Sequence, residues 1–107
     1  MNEQKKASGY TTIDNDVIDT IIRMTTTETE GVNRIFTNSS NPGVKVKISD
    51  GVVFADVYVV LNKRTNSVEV GHDLQKSISR AIQEMIGMKV GSINIHIEDY
   101  EYLDENK

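Results

Sequence analysis

The sequence predicts an α+β domain, a two-layer sandwich with two helices packed on one face of a small mixed β-sheet. Strand-like segments with one wholly apolar side lie at the centre and near the end of the chain, in Val44–Leu61 and Val90–Glu98. Two other segments show helical apolar periodicity, and two helices cover only one face of a sheet. The expected element order is β-α-β-β-β-α-β.

The first part of the sequence is predicted to form a strand, a helix and a second strand. Tyr10–Ile13 is rich in β-prone residues, and the acidic and amide side chains that follow can cap a helix. The apolar face of that helix is predicted to hold Val17, Ile18, Ile21 and Ile22. Gly31 is expected just past the C-terminal end of this helix, a position where glycine is the usual residue. Val32–Thr37 is a further strand candidate, followed by a loop of turn-forming residues over Asn38–Gly43.

A β-hairpin forms the predicted centre of the domain. Val44–Ser49 alternates apolar and polar residues, and Asp50-Gly51 accepts the positive φ angles of a type I′ turn. Val52–Leu61 carries β-branched and aromatic residues almost without interruption, which favours a long central strand.

The remaining elements are a helix and a strand. A stripe at helical spacing is expected to face the core, formed by Leu74, Ile78, Ala81, Ile82 and Met85. Residues of the preceding segment Asn62–Ser67 can cap this helix, and Gly87 ends it. Val90–Glu98 then alternates, with Ile93, Ile95 and Ile97 predicted to face the core.

Length and charge restrict the classes of function. A chain of 107 residues suits one domain that buries about two-thirds of its unfolded surface. We expect that domain at 10–99, between a flexible arm at 1–9 and an acidic tail at 100–107. The chain has 16 acidic and 12 basic residues, and the segment 98–107 holds five of the acidic residues and one of the basic residues. Residues 1–97 therefore carry eleven of each and have no net charge. A neutral domain lacks the charge that attracts nucleic acids and anionic lipids, so neither is an expected partner.

Membrane and thiol chemistry are not expected. No apolar run approaches the roughly 20 residues that span a bilayer, and no apolar segment follows the polar residues 1–8 as in a signal peptide. Direct membrane insertion is therefore not predicted, and the default location is cytoplasmic. The chain has no cysteine, which excludes disulfides, thiol catalysis and thiolate metal sites.

The sequence offers no catalytic, cofactor or metal site. His72 and His96 have no metal-ligand partner at a usual spacing, and Glu28 and Glu30 lie in polar company that would leave their charges solvated. The glycines are isolated, so neither a phosphate loop nor a dinucleotide fingerprint is present. We therefore predict no cofactor and no enzyme activity.

One face of the predicted sheet has no helix to cover it. The side chains expected there are Lys45, Lys47, Phe54, Asp56, Tyr58, Val60, Asn94 and His96. The first six are the candidate protein-interaction residues, because an exposed face with aromatic and apolar side chains suits association. The alternative is a small RNA-binding module that stacks bases on Phe54 and Tyr58 near the two lysines.

Several segments in sequence order resemble the alkaline-shock protein family of Gram-positive bacteria, also called envelope stress response proteins. They are Glu30–Val32, Gly43–Val46, Asp56–Val60, Leu74–Met88 and Ile93–Glu98. The resemblance covers about residues 10–99. The chain departs from it in the polar connection Asn62–Asn66 and in its threonine-rich first helix.

The resemblance implies a non-enzymatic cytoplasmic protein that forms homo-oligomers and serves cell-envelope homeostasis under stress. It further implies an integral membrane partner that holds some members beneath the inner face of the cell membrane. The residues themselves already predict the absence of a catalytic site, the absence of a membrane span and an uncovered sheet face, whereas the envelope role and the membrane partner come from the resemblance alone.

Overall fold

The computed structural model of the chain describes residues 12–102. The elements are α1 (Asn15–Glu28), β1 (Val32–Ile35), β2 (Val44–Ser49), β3 (Val52–Asn62), α2 (Ser67–Ile86) and β4 (Lys89–Glu101). Side chains of both helices and of the sheet form one core, and the sheet is mixed, which confirms the predicted α+β two-layer class.

The two ends of the chain differ from the expectation or lie outside the described residues. Thr12 and Ile13 belong to no strand, and Ile13 packs against the core ahead of α1 instead. Tyr10 and Thr11, like the arm predicted at 1–9, lie outside the described residues. At the other end β4 continues to Glu101, into the segment predicted as an acidic tail, and 103–107 lie outside the described part.

β3 is the central strand, as its continuous β-branched sequence predicts. β4 runs parallel to it along one edge, from Val52 to Asn62. The other edge is shared end to end: β2 pairs with Val52–Val57 and β1 with Val59–Leu61, both antiparallel. In the part of the chain that the structure describes, the sheet is therefore three strands wide, and β3 lies between its neighbours along nearly its whole length.

The hairpin between β2 and β3 has the predicted turn. Ser49 pairs with Val52, which leaves Asp50 and Gly51 as a two-residue loop with φ angles of +51° and +76°. Positive φ at both central positions defines the type I′ turn, whose twist matches that of the strands it joins.

Two bulges interrupt the pairing of β4 with β3, and the first puts Val90 on the same side of the sheet as the isoleucines that follow it. Gly91 and Glu98 each fall where the pairing with β3 shifts by one residue, so Val90 and Ile93 both face the core although they are three positions apart. Ile95 and Ile97 are half-buried and pack against the core, as predicted.

The helices bury most of the predicted stripes but not all. Ile18, Ile22, Leu74, Ile78 and Ile82 are fully buried. Met85, predicted for the core, is 65% exposed, and Val17 is 47% exposed. Met85 lies in the last turn of α2, beyond the turns of that helix that bury Leu74 and Ile78.

The helix caps differ in quality. The side chain of Asn66 accepts hydrogen bonds from the backbone N–H groups of Val68 and Glu69, at 3.0 and 3.2 Å, and so caps α2. Asp14 occupies the N-cap position of α1, but its side chain makes no capping hydrogen bond.

Candidate functional site

The candidate site is the open sheet face, which we define as the side of the sheet opposite α1 and α2. Strand register arranges its side chains in rows across β2, β3 and β4. Lys45, Asp56 and Asn94 are cross-strand neighbours in one row, and Tyr58 and His96 are neighbours in the next. The alternation predicted from the sequence therefore brings these five side chains together.

Asp56 is the centre of a hydrogen-bonded group on this face. Nε2 of His96 lies 2.8 Å from Oδ1 of Asp56, and Nδ2 of Asn94 donates to the same oxygen at 3.3 Å. The hydrogen bond with His96 is the main cause that lowers the pKa of Asp56, partial burial opposes it, and the bond from Asn94 adds to the lowering. Asp56 is therefore a stable carboxylate at neutral pH and a poor proton acceptor for catalysis.

The ring of Tyr58 is held between two side chains. The imidazole of His96 stacks on it with 4.4 Å between ring centroids and 13° between ring planes. Nζ of Lys45 lies 5.3 Å from the centroid of the same ring, within range of a cation–π contact. Because β2 and β4 flank β3 on opposite edges, Lys45 and His96 occupy opposite faces of the phenol.

The two ends of the open sheet face differ. The half-buried ring of Phe54 lies directly against Gly91, so that a Cβ added at position 91 would collide with the ring. Lys47 is exposed and pairs across the strands with Phe54. Val60, predicted as an interaction residue, is completely buried and so offers no surface to a partner.

Comparison with known proteins identifies the family. The sequence profile of the alkaline-shock protein family matches residues 3–102. This family is described as having a cell envelope-related function. The chain belongs to the alkaline-shock protein family. This confirms the resemblance that the sequence indicated.

Relatives of this alkaline-shock family chain occur in Gram-positive bacteria. Spy1535 of Streptococcus pyogenes is 29% identical over 92 residues, which cover 77% of this chain and 71% of the relative. YqhY of Bacillus subtilis is 25% identical, over 95% of this chain and 84% of the relative. Among solved structures, a variant of the MamM CTD matches with a TM-score of 0.57 and 15% identity, over 82% of this chain and 100% of that one. At that identity the likeness shows a common fold only.

The pairing of His96 with Asp56 is the feature of the alkaline-shock family chain that the sequence did not reveal. The two residues are 40 positions apart, and strand alternation assigns His96 to the uncovered face of the sheet without identifying a partner for it. Only the parallel register of β3 and β4, with its two bulges, shows which residue of β3 meets His96.

Other chemistry has little basis in the described residues of the alkaline-shock family chain. Between residues 12 and 102, no three His, Cys, Asp or Glu side chains are grouped as a metal site would require. His72 is an exposed residue of α2. Within the same range, neither helix combines the length and the apolar character needed to cross a membrane.

Proposed function

We propose that this alkaline-shock family chain serves cell-envelope homeostasis as a non-catalytic, cytoplasmic binding protein. Its open sheet face would associate with further copies of the chain and with a membrane-anchored partner at the inner face of the membrane. The envelope role is supported by the family description, and the partner by the resemblance to envelope stress response proteins. The observation that supports this surface is the ordered group of Lys45, Asp56, Tyr58 and His96.

Mutual contacts prepare this group for binding. The side chains of Asp56 and His96 are each 40% exposed, so they are held by one another yet remain accessible to a partner. Side chains that are already ordered lose less conformational entropy when a complex forms, and the loss would otherwise oppose association. The same order is expected in the free chain and in the complex.

The charges of the open sheet face favour self-association. Lys45 and Lys47 lie on β2, whereas the carboxylate of Asp56 lies on β3. A two-fold symmetric dimer brings the same patch of both copies together, so the patch must be complementary to itself. A face with lysines on one side and a carboxylate beside them meets that condition.

The alternative, a small RNA-binding module, is less well supported. Base stacking needs a free aromatic face, and both faces of Tyr58 already have neighbours, His96 and Lys45. A base could stack there only by displacing one of them. The neutral charge of residues 1–97 supplies no compensating attraction.

Sedimentation velocity on the full-length chain tests the proposed surface. We expect the wild type to associate with increasing concentration, and we expect Lys45→Glu and Tyr58→Glu each to shift it toward the monomer. Lys76→Glu is the matched control, because it makes the same charge change at an exposed position of α2. A wild type that is monomeric throughout, or association that Lys76→Glu weakens equally, would show that the open sheet face has been wrongly assigned.

A further inference from the structure

A second exposed apolar surface lies in the helical layer, between α1 and the last turn of α2. It is a groove of about 600 Å³. We call it the helix groove and define it by its apolar lining residues, which are Ile13, Val17, Ile21, Met24, Met85 and Ile86. Asp16 and Thr20 complete the lining. This surface is separate from the open sheet face.

The helix groove concentrates exposed apolar side chains. Val17, Met24 and Met85 are 47, 52 and 65% exposed, and Ile21 beneath them is buried in the core. These three are half of the large hydrophobic residues that are exposed in the described chain, so they form a cluster and not a scatter. An exposed cluster anchored to the core is typical of a binding surface.

The shape of the helix groove suits a helix. Val17, Ile21 and Met24 follow each other at i, i+4 and i+7 along α1, a stripe of about 10 Å, and Met85 borders it from α2. Helices dock in such grooves through apolar residues at the same spacing. The two methionines can adapt to side chains of different shape, because the thioether chain is flexible and polarisable.

The charges indicate which helix would bind. Among residues 12–102, Asp16 is the only charged residue that lines the helix groove. α1 also carries Asp19 and Glu28, and its one basic residue, Arg23, is held by Asp19 and by the carbonyl oxygen of Pro42 at 2.8 Å. If a second copy docked through the same stripe of α1, it would bring further carboxylates close to Asp16. Its α1 would offer no basic side chain that is available to pair with them. Lysine or arginine on the incoming helix would be attracted instead.

We propose that the helix groove binds an amphipathic helix of a partner protein, with apolar residues at i, i+3 or i+4 and i+7 and a basic residue that approaches Asp16. This binding does not depend on the open sheet face.

Fluorescence anisotropy with a labelled 14-residue peptide, Leu at those positions and Lys elsewhere, tests the helix groove on the full-length chain. We expect saturable binding that Met24→Gln and Met85→Gln each weaken by about tenfold, because each replaces an apolar contact with a neutral polar amide and adds no charge that could attract the lysines. Val68→Gln is the matched control: Val68 is 65% exposed on α2, as Met85 is, but lies outside the groove. It should leave the affinity unchanged.

Peptide charge tests the choice of partner. The same peptide with Glu in place of Lys should bind at least about tenfold more weakly, and Asp16→Lys should reverse that preference. No saturable binding, equal affinity for the two peptides, or an equal loss with Val68→Gln would each overturn the proposal. So would a change of sedimentation coefficient with Met85→Gln, because it would make a second copy the occupant. Tyr58→Glu should leave peptide binding intact, which separates this result from failure of the open sheet face.

Discussion

The buried residue Thr26 of α1 provides a test of packing in the helical layer, because its substitution should change the free energy of unfolding in a predictable direction. The residue is completely buried, and its Oγ1 has no hydrogen-bond partner among the described residues. The hydroxyls of Thr20, Thr27 and Thr29 behave differently, since each donates to the carbonyl oxygen four residues earlier. Burial of a hydroxyl without a partner costs about 1–3 kcal/mol in protein mutational data.

The substitution Thr26→Val removes that hydroxyl and keeps the branched shape of the side chain. Threonine and valine have similar helix propensities, so the intrinsic preference of the backbone changes little. We therefore expect a gain of about 1–2 kcal/mol in the free energy of unfolding, most of it the recovered cost of the unpaired hydroxyl. In a domain of this size each kcal/mol raises the melting temperature by about 4–8 °C.

Thermal unfolding followed by circular dichroism measures this gain. Thr27→Val is the matched control, because Thr27 is exposed on the same helix and its hydroxyl is bonded to backbone carbonyl oxygens. It should bring no comparable gain. A lower melting temperature for Thr26→Val would mean that the hydroxyl has a partner and that the packing around α1 differs from the one described.

Three further predictions address the cap, a close approach and the open sheet face. Asn66→Ala should lower the free energy of unfolding by about 1 kcal/mol in urea titrations, because two N–H groups of α2 lose their acceptor. Gly43→Ala should lower the free energy of unfolding by about 2 kcal/mol or more, because φ is +90° there and the new Cβ would lie 2.8 Å from the carbonyl oxygen of Phe36. A decrease below about 0.5 kcal/mol would contradict this packing. Because the pKa of Asp56 is lower in the folded chain than in the unfolded chain, the carboxylate of the unfolded chain is protonated first as the pH falls. Melting temperatures of the wild type should therefore fall more steeply than those of Asp56→Asn as pH drops from about 5 through the ordinary aspartate value to the lower folded-state pKa. Because Asp56 is 40% exposed the difference should be small, and parallel profiles would argue against the bond with His96.

The fold was largely predictable because its elements carry strong local signals. The alternation in β2, the I′ turn at Asp50 and the period of the stripe in α2 each specify a structure over a few residues. Errors occurred where tertiary packing decides. Met85 has the right spacing for the core but lies at the end of α2, and Thr12 and Ile13 have β-prone side chains without strand pairing.

The open sheet face was predictable in membership but not in contacts. Strand alternation alone assigns Lys45, Asp56 and Tyr58 to one side of the sheet. The hydrogen bond between Asp56 and His96 depends on the register of two parallel strands joined through a helix, and no local pattern encodes that register. Val60 shows the converse, because alternation placed it on the open side and packing at that end of the sheet buries it completely.

The most direct test of the central claim is capture from cross-linked cells of the source organism, membranes included. Three tagged forms of the full-length chain would be purified: the wild type, Lys45→Glu and Lys76→Glu. Mass spectrometry would identify the partners recovered with each. We expect the wild type and Lys76→Glu to recover untagged copies of the chain together with an integral membrane protein, and Lys45→Glu to lose both. Equal recovery by all three, or recovery of RNA and ribosomal components without a membrane protein, would contradict a protein-binding role for the open sheet face.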